Sequence, residues 1–197
     1  MSNRIMVIHE IEQKFGICTQ LLPRFRSNHG SPPFRHLQFL RREHFEDAYY
    51  DSCNKLSDHG LWIRRRGAVW EAKHRKSGNF TRTTFHETND IAKIRALIAR
   101  YANINVGPDG NFGLSLISRF RTEREVYLAD EKFSIMLDAT DFGHWVGEVE
   151  LLAHDEQRAH LEIDAFMRRY SWFFAQEPKP KGKLTAYFEL FGYPRSG

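Results

Sequence analysis

The chain has 197 residues, with 29 Lys and Arg against 25 Asp and Glu and a formal net charge of +4. That length predicts one domain over residues 1–197 with a full core, and the near balance of charge excludes a simple polycationic nucleic-acid arm while keeping anionic ligands open. Sixteen Phe, seven Tyr and four Trp, many inside alternating runs, favour strands.

The first strand is expected over residues 5–15. Alternate residues of a strand share a face, so Glu10, Glu12 and Lys14 line one surface while Ile11 and Phe15 line the other. A single strip of this kind reads as a solvated face; its weight comes from repetition further along. Residues 19–28 predict a short helix around Pro23, followed by a loop over residues 29–33 and a long alternating strand over 36–51 that ends Ala48-Tyr49-Tyr50-Asp51. Cys18 and Cys53 have no metal-type spacing and are too few for a disulfide framework, which suits a reducing compartment.

The clearest hairpin joins Leu61-Trp62-Ile63-Arg64-Arg65-Arg66 to Val69-Trp70-Glu71-Ala72-Lys73 through Gly67-Ala68, a Gly-first loop suited to a type II′ turn. Pairing Arg66 with Val69 sets Arg64 opposite Glu71 and Trp62 opposite Lys73, all on the face of Arg66. This reads either as a surface ion pair or as an anion-holding strip, for which the planar fork of arginine is well shaped. Residues 80–87 predict another strand, with Arg82 as a further cation. Behind an Asn89-Asp90 cap, Ile91, Ile94, Leu97, Ile98 and Tyr101 fall at helical spacing, predicting a helix packed outside the sheet. Residues 107–113 form a turn-rich loop.

A second hairpin has arms over 115–128 and 132–138, with a three-residue loop, Ala129 to Glu131, placing Arg124 on the face of Asp138. Arg121 is the competing cation. The turn Asp141-Phe142-Gly143-His144 leads into Trp145-Val146-Gly147-Glu148-Val149-Glu150-Leu151, whose Glu148 and Glu150 mirror Glu10 and Glu12; with Asp138 these supply oxygen ligands for hard divalent cations. Residues 154–176 predict one helix with Leu161, Ala165, Phe166, Tyr170 and Phe173 on its buried side. His154 and His160 read as helix-surface residues, since no HExxH occurs. A basic linker over 178–183 precedes a last strand in which Lys183, Thr185, Tyr187 and Glu189 oppose Leu184, Ala186, Phe188 and Leu190.

About eight strands with charged inner and apolar outer faces predict an α+β fold, a closed eight-stranded antiparallel β-barrel with flanking helices. Closure removes exposed strand edges. Buried charges need partners, and a polyphosphate with its metal ions would match opposed strips of acid and base.

Glu10-Ile11-Glu12-Gln13-Lys14 resembles the ExExK signature of the CYTH, or triphosphate tunnel metalloenzyme, superfamily. Trp62 to Arg66, Trp70 to Lys73, Leu137-Asp138, Asp141-Phe142-Gly143, Val146 to Glu150 and Gly182-Lys183-Leu184 follow in family order. Tyr49-Tyr50-Asp51, Trp62 before the arginines and the segment over 141–150 are most similar to the thiamine triphosphatase branch. The resemblance implies metal-dependent hydrolysis of a terminal phosphate, with Mg²⁺ or Mn²⁺ held by Glu10, Glu12, Asp138, Glu148 and Glu150. It implies that Lys14, Arg64, Arg66, Lys73, Arg124 and Lys183 hold the triphosphate, and that Lys14 with Tyr49 forms a lysine-tyrosine pair acting as the general base. Trp62 either stacks on thiamine or packs in the wall.

The alternatives are an inorganic, nucleoside or RNA 5′-triphosphatase, an adenylyl cyclase of the same fold, or a non-catalytic polyphosphate or nucleic-acid binding module. The expected setting is cytoplasmic, since no stretch is long enough to span a bilayer and no signal-peptide pattern is present. The expected partner is a small-molecule triphosphate, with the chain monomeric and without membrane or nucleic-acid partner.

Overall fold

The alternating runs become eight strands in a computed structural model that describes residues 9–78, 82–104, 110–175 and 179–193. They are β1 (His9–Phe15), β2 (Leu37–Asp51), β3 (Leu61–Arg66), β4 (Val69–Gly78), β5 (Arg82–Thr88), β6 (Ser115–Ala129), β7 (Phe133–Thr140) and β8 (Trp145–Ala153). Their order, β1-β5-β4-β3-β2-β6-β7-β8, closes into a barrel. Every neighbouring pair is antiparallel. Residues 5–8 of the expected first strand, 80–81 of the fifth, 107–109 of the expected loop, Gln176, Pro178 and the Arg82 side chain lie outside the described residues.

The hairpin registers follow from their turns. Gly67 has φ +57°, and Arg66 pairs with Val69, Arg64 with Glu71 and Trp62 with Lys73. In the second hairpin the loop is Asp130 to Lys132, one residue later than expected, because Ala129 still pairs with Phe133. The loop remains odd in length, so Arg124 still faces Asp138. Arg121 has the opposite parity and points outward, 3.5 Å from Glu46.

Helices coat the outside. Leu22–Arg26 forms α1, where Pro23 is tolerated because the first turn needs no N–H from it. Ile91–Ala102 forms α2, capped by Asp90, which accepts from Ala92 N at 2.9 Å. Its Ile94 and Ile98 are buried with Leu56, Leu61, Ile63 and Ala72. A larger core joins Ile11, Phe15, Ile135, Leu137 and Val149 of the barrel exterior to Phe25, Ile163, Phe166, Phe173 and Phe174. Each such buried side chain contributes about 1.5–3 kcal/mol, so the exterior supplies the stability that a charged interior cannot.

The single helix expected over 154–176 is instead α3 (Glu156–Arg169) and α4 (Ser171–Phe174). The break is at fully buried Tyr170, whose hydroxyl donates to Asp130 Oδ2 at 2.7 Å. Of the expected buried stripe, Phe166, Tyr170 and Phe173 are buried, whereas Leu161 is 68% exposed and Ala165 is exposed, with Ala159 and Ile163 buried in their place.

The expected last strand is a helix, α5 (Lys183–Phe191). Leu184, Tyr187, Phe188 and Phe191 fit a helical period as well as the alternation fits a strand, and short apolar runs satisfy both. Closure decides between them. β1 pairs with both β5 and β8, so the barrel offers no free edge to a ninth strand. The segment lies over one end instead, with Tyr187 against Phe120 and Phe142 and with His144 Nε2 2.9 Å from Lys181 O. Among the described residues no helix is long and apolar enough to cross a membrane.

Candidate active site

Because the apolar alternation faces outward, the lumen collects the charged alternation of every strand. β1 and β8 bring Glu12 opposite Glu150 and Lys14 opposite Glu148. Glu10, Glu12 and Glu150 then form a cluster in which one carboxylate oxygen from each lies within 4.8 Å of the others. Lys73 of β4 reaches the same wall, with Nζ 3.3 Å from Glu10, 2.9 Å from Glu12 and 2.8 Å from Glu87 of β5.

The opposite wall is built from arginines held by carboxylates. Arg66 donates through Nε and Nη2 to Asp47 at 2.7 and 2.8 Å, and Arg64 donates to Glu71 at 2.6 Å. Arg124 donates to both oxygens of Asp138 at 2.6 and 2.7 Å, and α5 delivers Lys183 to the same carboxylate. Lys14 links the walls by contacting Glu12 and, at 3.1 Å, Glu148, which lies 3.5 Å from Arg124.

The acids therefore divide into two chemical sets. Burial would raise the Asp138 and Glu148 carboxyls, but Lys183 and Arg124 pull Asp138 below its ordinary value and Lys14, Arg124 and Lys183 pull Glu148 well below it. Asp47 is likewise held low by Arg66 and Arg64 against its burial. In the cluster the balance reverses. Burial, then Glu10 and Glu148, push Glu150 up to about 8, and burial raises Glu10 despite Lys73. A hard divalent cation relieves the crowding that raises Glu10 and Glu150, and with a Glu12 oxygen within 4.8 Å of theirs the three carboxylates fit such an ion. Asp138 and Glu148, expected among the ligands, are engaged here by cations.

Of the expected anion-holding residues, Lys14, Arg64, Arg66, Lys73, Arg124 and Lys183 all reach the lumen walls. Trp62 is half-buried, edge-on to Phe85 at 5.9 Å and near the Arg75 guanidinium. Tyr49, the expected partner of Lys14, sits opposite Arg64 on β3 and has that guanidinium as a cationic neighbour. Its ring stacks on Phe120 at 5.8 Å; burial raises its phenol above the usual range, with neighbouring Arg64 opposing. The lowered phenol that a general base needs is not produced here. Lys14 is itself held above its ordinary value by Glu148 and Glu12 against its burial, so it remains an ammonium.

Sequence reasoning missed Asp47, Glu87 and Phe45. Asp47 and Phe45 lie two and four residues before Tyr49 on one strand, so alternation already put them on its face. What it did not show is the pairing of β2 with β3 that sets Asp47 opposite Arg66.

Comparison with known proteins agrees with this geometry. The human thiamine-triphosphatase is 31% identical over 168 residues, covering 75% of this chain and 73% of that protein. Among solved structures, PH1819 from Pyrococcus horikoshii OT3 superimposes with a TM-score of 0.58 at 19% identity, covering 92% of this chain and 97% of that one. HpAC1 from Hippeastrum, for which a dominant triphosphatase activity is described, superimposes with a TM-score of 0.56 at 19% identity, covering 91% and 95%. The CYTH domain family model matches residues 9–169, the stretch that holds the barrel and every lumen residue except Lys183, and the chain belongs to the CYTH domain family.

Proposed function

We propose that the protein is a divalent-metal-dependent triphosphatase that hydrolyses the terminal phosphoric anhydride of thiamine triphosphate to give thiamine diphosphate and phosphate. The observation that carries this reading is the division of one lumen into a three-carboxylate cluster and a facing wall of four cations, with Lys14 and Lys73 reaching in beside the cluster. A pure anion binder has no use for the cluster, which would repel phosphate without a metal.

Glu10, Glu12 and Glu150 would hold Mg²⁺ or Mn²⁺, which supplies charge neutralisation at phosphate oxygens. Arg64, Arg66, Arg124 and Lys183 fix the phosphate chain from the other wall, and Lys14 and Lys73 complete the ring of donors. Phosphoryl transfer demands little covalent chemistry from the protein, so holding the chain for in-line attack by water is the main contribution of these residues. The carboxylates of Asp47, Glu71 and Asp138 aim the cations rather than contact the substrate. Trp62 offers an indole face to the cationic thiazolium, a contact worth about 0.5–2 kcal/mol. The thiamine-specific part of the reading is supported by the human relative.

The test is phosphate release from thiamine triphosphate, inorganic triphosphate, ATP and a short 5′-triphosphorylated RNA, with Mg²⁺ or Mn²⁺, beside Glu150→Gln and Trp62→Ala. Preference for thiamine triphosphate, lost in Trp62→Ala and with all activity lost in Glu150→Gln, supports the proposal. Fastest release from inorganic triphosphate, indifferent to Trp62, keeps a triphosphatase and removes the thiamine specificity. No release from any substrate with either metal overturns it in favour of a binding module.

A further inference from the structure

An aromatic ring stands at the centre of the basic wall. Phe45 of β2 shares its lumen face with Asp47, and three cations from three different elements surround it. The Arg66 guanidinium carbon lies 3.8 Å from the ring centroid, the Arg124 guanidinium carbon 5.4 Å, and Lys183 Nζ 5.4 Å. Each is also tied to a carboxylate: Arg66 to Asp47, and Arg124 and Lys183 to Asp138. Both arginines spend their Nε and Nη2 donors on that carboxylate.

Three like charges gathered at one place repel one another, and two carboxylates offset only part of that repulsion. The faces of an aromatic ring carry negative potential and attract all three without consuming any N–H donor. A carboxylate at the same place would neutralise the cations and compete with an anionic ligand. An aliphatic side chain would fill the volume with no attraction.

We propose that Phe45 is a positioning residue of the anion cradle: its ring holds Arg66, Arg124 and Lys183 in a shared arrangement whose remaining donors meet a phosphoryl group without rearrangement. This rests on the reading of the lumen as a triphosphate site. The ring itself touches no reacting atom, and the cations it orients hold phosphate oxygens in the ground state and the transition state alike. Its loss therefore weakens uniform binding, raising KM and sparing kcat. The acidic cluster is built on β1 and β8, and none of its three carboxylates belongs to the residues that hold the cations around the ring, so an unchanged metal affinity is expected.

The experiment uses the full chain as wild type, Phe45→Leu, Phe45→Met and Phe45→Tyr. It measures steady-state hydrolysis of inorganic triphosphate with Mn²⁺, calorimetric binding of inorganic triphosphate, and calorimetric binding of Mn²⁺ alone. The expected result is a KM raised about tenfold in both aliphatic variants with kcat within about threefold, near-wild-type values in Phe45→Tyr, and one Mn²⁺ affinity throughout. An aliphatic variant that folds and keeps the wild-type KM overturns the proposal, as does a parallel loss of kcat and Mn²⁺ affinity, which marks general loosening. Failure of both aliphatic variants to fold also overturns it, making Phe45 a packing residue. A wild-type chain that neither binds nor hydrolyses inorganic triphosphate or thiamine triphosphate defeats the reading of the lumen itself, and one that takes only thiamine triphosphate moves the same measurements on the four chains to that substrate. A wild type that binds it no more tightly than Phe45→Leu defeats only the role of Phe45.

Discussion

Replacing Asp47 with Ala removes a fully buried carboxylate that engages Arg66 through both oxygens and lies 3.9 Å from Arg64. An exposed ion pair is worth about 1 kcal/mol or less. Breaking a buried one costs about 3–5 kcal/mol, because the surviving charge stays out of water without a partner. Arg66 is 23% and Arg64 14% exposed, so water reaches them in part and the lower end, about 3 kcal/mol, is expected. With a urea slope of about 2 kcal/mol per molar, the unfolding midpoint should fall by about 1.5 M. Equilibrium urea unfolding followed by tryptophan fluorescence would measure this, with Asp47→Asn keeping the shape and losing only the charge. Arg66 and Arg64 hold the Asp47 carboxyl below its ordinary value of 3.8, so its contribution is present above that value and is lost as pH falls through the lower folded one. The gap between wild type and Asp47→Asn should therefore narrow on acidification below about pH 4. A loss under about 0.5 kcal/mol in both variants, or a gap that ignores pH, would refute the account of the pair as buried and charge-dependent.

Gly147→Ala should destabilise by about 1–3 kcal/mol in a thermal melt. Its Cβ would sit 2.1 Å from Phe15 Cζ, and Phe174 packs edge-on against that ring at 4.8 Å, limiting its retreat. In chelator-treated protein the Glu150 carboxyl, pushed up to about 8, contributes stability that is complete below its ordinary value of 4.5 and lost as pH rises through 8. Glu150→Gln should thus gain in melting temperature over wild type as pH rises from 5 to about 9, and a constant difference would contradict the crowding of the cluster. Glu12→Gln should abolish the rise in melting temperature that Mn²⁺ gives the wild type; an undiminished rise would place the metal elsewhere. Lys183→Ala should raise KM for a triphosphate about tenfold or more while leaving Mn²⁺ affinity intact, checked by steady-state kinetics beside calorimetry.

The sequence by itself determined which residues face the lumen, because a strand has a period of two and the apolar half of each alternation must go to a core. Glu10 with Glu12 and Lys14, Arg64 with Arg66, and Glu148 with Glu150 needed nothing further. The turn lengths added Arg64 opposite Glu71 and Arg124 opposite Asp138. Only the tertiary structure decided the surroundings of the acids. Whether a carboxylate is paired with arginine or crowded against other carboxylates depends on what the neighbouring strands and the far wall present, and contacts such as Lys183 to Asp138 join residues that no local pattern relates. The same holds for the C-terminal segment, whose apolar positions satisfy helix and strand periods together. Closure of eight strands left no edge for it to pair with, so it formed α5 and carried Lys183 in from the end of the barrel.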